Sequence, residues 1–172
     1  NGSGPEHVGR LKASDLDFTF VDSGANLGFT GGCNLGVEHS SGEIVAFLNN
    51  DARPDTGWVR EAMATFASGA DIGAVASKVL DWEGVNVDFT EAAMTWYGMG
   101  YKPFAGSPDT GRWESETDVL FGTGAAMFIR AHLFDPPSAF DAPHLILHAA
   151  AAPVRPLPPL ACRLRSPPPP DA

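Results

Sequence analysis

Cysteine is scarce in this 172-residue chain, with only Cys33 and Cys162 present. Two thiols cannot build a disulfide framework and lack the paired spacing of a zinc site, so both are expected to be free in a reducing compartment. No apolar run approaches the roughly 18 to 20 residues of a membrane span, and no basic stretch followed by an apolar segment opens the chain. The expectation is a cytoplasmic protein without a transmembrane segment. Bases are also few: 11 Lys and Arg stand against 21 Asp and Glu, for a net charge of -10. That balance repels a nucleic-acid backbone and an anionic membrane alike, so no nucleic-acid partner is expected. No nucleophile with an adjacent base can be assembled from Ser, Cys, His and Asp spacing, which removes support for covalent catalysis.

What is present is an ordinary globular composition, 44% apolar and 19% charged, with 19 glycines that follow no triplet repeat. This excludes a disordered or collagen-like chain. One core burying roughly 70% of the unfolded chain's surface is the default at this length. The chain changes character near residue 142. Residues 1–141 hold 20 of the acids and 8 of the bases, whereas 142–172 hold Asp171 against Arg155, Arg163 and Arg165. Nine of the 15 prolines also fall in that last stretch, removing backbone donors and blocking helix and sheet. We read 1–141 as the domain and 142–172 as a Pro/Ala-rich tail, disordered or out of frame. The abrupt loss of acids and the Pro/Ala/Arg/Leu bias are what high-GC coding DNA yields in a wrong reading frame. His144 and His148 sit four apart, but Pro143 and Pro153 leave little room for a helix that would pair them.

The first 80 residues alternate between strand and helix patterns. Phe18–Val21, Glu43–Leu48 and Ile72–Leu80 are β-rich or nearly continuous apolar runs, and continuous runs suit a sheet covered on both faces. Residues 31–40 predict a short helix. Thr56–Ser68 predicts a longer one, with Trp58, Val59, Ala62, Met63 and Phe66 at helical spacing, Asp55 or Thr56 as N-cap and Gly69 as stop. The fold class is therefore α/β, a mostly parallel open sheet with helices on both faces. From 81 to 117 the pattern loosens like an insertion, and Asp118–Arg130 returns as an apolar strand broken by Gly122 and Gly124.

Ligands of open α/β sheets sit beyond the carboxyl ends of the strands, and two polar clusters are predicted there. Asn26-Leu27-Gly28-Phe29-Thr30-Gly31-Gly32-Cys33-Asn34 offers close backbone approach and the free N–H groups of a helix start, which suit phosphate. It is neither a P-loop nor a dinucleotide fingerprint, and a plain tight turn accounts for it equally well. Asn49-Asn50-Asp51 follows a buried strand and supplies hard oxygen donors of the kind Mg2+ or Mn2+ takes when it also holds a diphosphate; an Asx turn capping the strand is the simpler alternative. Both clusters are expected on one edge of the sheet, around one diphosphate.

These residues resemble a known family. Asn26-Leu27-Gly28-Phe29 through Asn34-Leu35-Gly36, then Ser41-Gly42-Glu43 through Asn49-Asn50-Asp51, are similar to the donor-binding half of family 2 glycosyltransferases of the GT-A fold, nearest the rhamnosyl- and galactofuranosyl-transferase-like branch. Asn1-Gly2-Ser3, Ser77-Lys78-Val79-Leu80 and Phe121–Arg130 resemble further segments in the same order. The resemblance implies an inverting transfer of a sugar from a nucleotide-diphosphate sugar to a hydroxyl of a glycan or lipid-linked acceptor, in cell-wall or surface polysaccharide synthesis, at most peripheral to the inner membrane face. It implies that Asn26, Gly28, Phe29 and Asn34 line the nucleotide pocket. Asp51 would ligate a divalent metal, Mg2+ or Mn2+, with Asn49 and Asn50 near the diphosphate and ribose. Gly122 and Gly124 would admit the acceptor, although a sheet bulge explains glycines there as well. The family pattern also carries more carboxylates at the 49–51 motif, a first buried strand, and an acidic motif after Phe140-Asp141 that supplies the general base; here the chain is read as truncated at both ends, and neither Asp135 nor Asp141 stands in the place of that base. The alternative is a fragment that at most binds nucleotide.

Overall fold

The computed structural model describes residues 4–134 together with two three-residue strands at 154–156 and 162–164. The chain divides into two units, one from the N-terminus to Gly42 with 134–148, the other comprising 43–133 and 149–172. Asn1–Ser3, Asp135, Asp141, His144, His148 and most of the proline-rich segment lie outside the described residues, so the readings placed on them are not addressed by the structure.

In the first unit, helix α1 (Pro5–Lys12) starts with Pro at its first position, carries Glu6 in its first turn and Arg10 and Lys12 in its last, and ties Arg10 to Glu6 at 2.7 Å. Each feature favours a helix, through the preset φ of proline and the helix dipole. Helix α2 (Gly28–Glu38) begins three residues before the start expected from the sequence. Asn26 explains the shift, because its side-chain oxygen accepts the N–H of Gly28 at 2.9 Å and so satisfies a donor at the helix start. The expected strand at 18–21 is a correction: these residues are not paired in any ladder among the described residues. A β-rich run becomes a strand only where a neighbour supplies hydrogen bonds, and sequence propensity cannot supply the neighbour.

The second unit is built on β1 (Ile44–Leu48), β2 (Ala52–Pro54), α3 (Trp58–Ser68), β3 (Ala74–Ala76), β4 (Val79–Asp81), β5 (Val87–Phe89), β6 (Ala93–Met94), β7 (Gly100–Tyr101), β8 (Ala126–Arg130), β9 (Val154–Pro156) and β10 (Cys162–Leu164). One open sheet runs β1-β8-β3-β9, a second runs β2-β10-β4-β5, and β6 pairs β7 in a hairpin. The β1 and β3 strands run in the same direction, as a parallel sheet built from the alternating strand and helix patterns requires, but they are not neighbours. The β8 strand lies between them antiparallel to both, with Val45 opposite Ile129 and Val75 opposite Phe128. The sheet is therefore mixed, because the late apolar strand returns into its middle.

The core follows that insertion. The four leading residues of β8 and all of β3 are buried, which matches their continuous apolar sequence. The β1 strand buries only Val45, leaves Leu48 42% exposed, and so departs from the expectation of cover on both faces. It stands at the edge of its sheet, with no strand on its other side among the described residues. Helix α3 lies on the sheet through Trp58, whose ring meets Phe128 at 4.3 Å and whose indole N–H donates to the buried Ser77 hydroxyl at 2.8 Å. Its first turn is set by Gly57 at φ 94°, a left-handed conformation that costs other residues about 1 kcal/mol or more, so the N-cap position falls on Gly57 and not on Asp55 or Thr56. Its last turn is held by Arg130, which donates to the carbonyls of Ile72 at 2.8 Å and Phe66 at 3.2 Å and lies 4.9 Å over the Phe66 ring. A cation at a helix C-terminus is favoured by the exposed carbonyls there.

Candidate functional site

The run 72–80 divides into β3 and β4 at Ser77-Lys78, and both residues of the break are buried. Lys78 places its ammonium 2.7 Å from Asp109 and 2.8 Å from Glu114. Burial by itself would lower its pKa, but the hydrogen bonds to the two carboxylates and their charges outweigh that and hold it above the ordinary lysine range. The segment between β4 and β8 is thus clamped onto the sheet by a buried cation. Trp113 extends the clamp, donating to Glu91 at 2.8 Å and stacking on Phe104 at 5.1 Å against Leu80 and Val87.

The second sequence cluster lies where the strand pattern put it. Directly after β1 the chain turns at Asn49–Ala52, closed by the Ala52 N–H on the Asn49 carbonyl at 3.0 Å. Asn50 and Asp51 are the exposed central residues of that turn. The Asx-turn alternative is not needed: among the described residues the side chains of Asn49, Asn50 and Asp51 make no hydrogen bond, and backbone alone closes the turn. Three polar side chains at a strand end are therefore available to a ligand. The Asn49 N–H donates to the Ala125 carbonyl at 2.9 Å. That bond sets the Asn49–Ala52 turn beside the Thr123–Ala126 turn that leads into β8. Gly122 is buried, and a side-chain carbon there would stand 3.2 Å from Ala76 Cβ and from Met127 Cε, so packing explains this glycine; Gly124 is half-buried.

Asn26, Gly28, Phe29 and Asn34 belong to the first unit. Gly28 has φ 69°, a backbone state that favours glycine, and Phe29 is 41% exposed. A cleft of about 380 Å³ in this unit is lined by Thr19, Val21 and Ser23 of the extended run, by Gly32, Leu35 and Gly36 of α2, and by its C-cap His39. None of the four predicted nucleotide residues lines it. Burial raises the Cys33 thiol above its usual pKa, which makes it a poor nucleophile and agrees with a free thiol.

The fit of a divalent ion can be judged from the donor set. Among the described residues no three His, Cys, Asp or Glu side chains gather into a metal cluster. Asp51 is a single exposed carboxylate flanked by two amides, which is enough for an ion of the Mg2+ type that takes one or two carboxylates and completes its shell with phosphate oxygens and water. These residues fit a metal that arrives with a diphosphate; they do not form a cage that would hold one alone.

The family is decided by comparison with known sequences: the model for glycosyl transferase family 2 matches residues 4–133. The chain belongs to this family. The match spans α1 through β8 and includes both polar clusters. No curated protein matches the chain. A solved relative in fold is the crystal structure of GalNAc-T7 with UDP, GalNAc and Mn2+, which superposes with a TM-score of 0.62 at 11% identity over 86% of this chain. The chain spans 32% of that protein's length. At that identity the likeness establishes the fold, a glycosyltransferase GT-A fold of mixed α/β type. No helix among the described residues is long and apolar enough to cross a membrane.

Lys78 and its two carboxylates were not singled out from the sequence as a unit. A lone lysine inside an apolar run was the available signal, since a buried lysine requires paired acids.

Proposed function

We propose that this chain is the donor-binding part of an inverting glycosyltransferase that moves a sugar from a nucleotide-diphosphate sugar to an acceptor hydroxyl on a glycan or lipid-linked acceptor. The branch that its motifs resemble is the rhamnosyl- and galactofuranosyl-transferase-like one, which serves cell-wall or surface polysaccharide synthesis. The observation that carries the reading is the Asn49–Asp51 turn, three polar side chains with no partner among the described residues, in a chain whose family match runs from residue 4 to 133. In this reading Asn26, Gly28, Phe29 and Asn34 line the nucleotide pocket, with the Gly28 backbone giving close approach. Asn49 and Asn50 orient the diphosphate and ribose through their amides. Asp51 holds the divalent ion, Mg2+ or Mn2+, which when bound stabilises the negative charge of the departing nucleoside diphosphate. The backbone at Gly122 and Gly124, tied to Asn49 through the Ala125 carbonyl, forms the acceptor side.

The reading is tested by titrating UDP and thymidine diphosphate into the full chain with and without Mn2+, and repeating with Asp51→Ala. The expected result is tighter binding with Mn2+ in the parent and no metal effect in the variant. Equal affinities for both proteins under both conditions would remove Asp51 from the metal role and overturn the proposal.

A further inference from the structure

The unit that holds the Asn49–Ala52 turn also carries an exposed aromatic hairpin that the family motifs leave unexplained. Its strands β6 and β7 pair Ala93 with Tyr101 and Met94 with Gly100. The turn between them is closed from within: Thr95 N–H donates to the Met99 carbonyl at 2.8 Å, Met99 N–H to the Thr95 hydroxyl at 2.9 Å, and Gly98 N–H to the Thr95 carbonyl at 3.0 Å, with Gly98 at φ 85°. A turn bonded in this way presents its side chains on a fixed backbone. Those side chains are Trp96, 94% exposed, with Tyr97, Met94, Met99 and Tyr101 also exposed. Apolar surface gathered so densely in water marks a contact site.

Two observations select the occupant. Residues 93–101 contain no charged side chain, while the chain as a whole carries -10. A partner held by charge has nothing to grip there, and an anionic surface is repelled. What remains is a neutral partner that can use aromatic faces. Trp96 and Tyr97 meet edge to face, centroids 5.3 Å apart and planes at 87°, so each fixes the other. The negative face of an aromatic ring suits the row of weakly positive C–H groups on a sugar ring, and the phenol and indole edges can bond to its hydroxyls.

The hairpin also continues into the acceptor side of the candidate site. Gly100 lies against the Phe121 ring so closely that a side-chain carbon would stand 2.9 Å from it. Phe121 lies two residues before the Thr123–Ala126 turn, in which the Ala125 carbonyl accepts the Asn49 N–H.

We propose that the 93–101 hairpin is a binding site for a neutral sugar ring of the acceptor, with Trp96 as the stacking platform and Tyr97 as its brace. This rests on the glycosyl-transfer reading above. The test applies the full chain, Trp96→Ala and Trp96→Phe to immobilised neutral oligosaccharides built from galactose, rhamnose, glucose or mannose, with UDP and Mn2+ titrated in parallel and neutral phosphatidylcholine vesicles as a separate arm. The parent should bind a subset of the glycans, Trp96→Ala should weaken that binding about tenfold, Trp96→Phe should retain most of it, and UDP affinity should not change in either variant. Absence of glycan binding in the parent, or binding that Trp96→Ala retains, overturns the proposal. Vesicle binding lost in Trp96→Ala without glycan binding overturns it in favour of a bilayer. Glycan binding that depends on Trp96 in a chain that fails to bind UDP would leave the hairpin site standing and sink the donor reading.

Discussion

Replacing Lys78 by methionine keeps the length of the side chain and removes its charge. In the native structure the ammonium is 3% exposed, Asp109 16% and Glu114 42%. The loss is therefore unequal: Glu114 can turn to water and forfeits about 1 kcal/mol or less, as exposed pairs do, whereas Asp109 is left as a largely buried carboxylate without its cation. Breaking a buried pair in this way costs about 3 to 5 kcal/mol, and the partial exposure of the partners places this case near 3. For a chain of this size that corresponds to a fall in Tm of about 6 to 12 °C. Thermal denaturation followed by circular dichroism measures it, and amide exchange should accelerate most at 105–116, the segment the lysine clamps. Combining Lys78→Met with Asp109→Asn and Glu114→Gln should recover part of the loss, because no buried charge is then stranded. A fall in Tm under about 3 °C, or unchanged exchange at 105–116, would refute the clamp. The pH dependence has a definite sign. The folded pKa of Lys78 is raised, so its contribution is complete below the unfolded lysine value of about 10.5 and disappears only as pH climbs through the folded value.

Asp81 behaves in the opposite sense: the Val85 N–H, helped by the Asn86 and Gly84 groups, holds its carboxyl below the usual range against the opposing effect of burial, which is second in size only to the Val85 bond. The order it gives the β4–β5 connection should be complete above about pH 4 and lost as pH falls through the depressed value, which NMR shifts of Val85 and Asn86 should follow, whereas Asp81→Asn should remove the pH dependence. Trp58→Phe keeps the stack on Phe128 but strands the buried Ser77 hydroxyl, and denaturant unfolding should show a loss of about 1 to 3 kcal/mol. Gly122→Val forces bulk against Ala76 and Met127 and should cost about 1 to 3 kcal/mol by the same measurement. Cys33 should be alkylated more slowly than a free peptide thiol at pH 8, read by peptide mass spectrometry, and reach the peptide rate in denaturant.

The parts legible in sequence were those set by local periodicity. The α3 helix followed from Trp58, Ala62 and Phe66 at helical spacing, although Val59 proved exposed and the buried Thr65 took part of its place, bonding to Glu116 at 2.6 Å. The return of the chain into the sheet at 126–130 was visible as an apolar run; its placement between β1 and β3 was not, because strand order is a non-local property. Phe18–Val21 shows the same limit, since propensity proposes a strand and only a neighbour makes one. The α1 helix was readable and overlooked, with proline at its start and charges arranged along its dipole. At the candidate site, the position of Asn49–Asp51 at a strand end followed from the apolar run before it. Its contact with the turn before β8 did not, because a backbone hydrogen bond between residues 49 and 125 leaves no trace in residue type.

The central claim of the proposal is that Asp51 holds a divalent ion that arrives with the nucleoside diphosphate. Mn2+ is paramagnetic, so an NMR spectrum of the full chain recorded with UDP and a trace of Mn2+ reports which amides lie near the bound ion. The account predicts that Asn49 and Asn50 broaden and that Asp51→Ala abolishes the effect. Absence of broadening at Asn49 and Asn50, or broadening unaffected by Asp51→Ala, would contradict it.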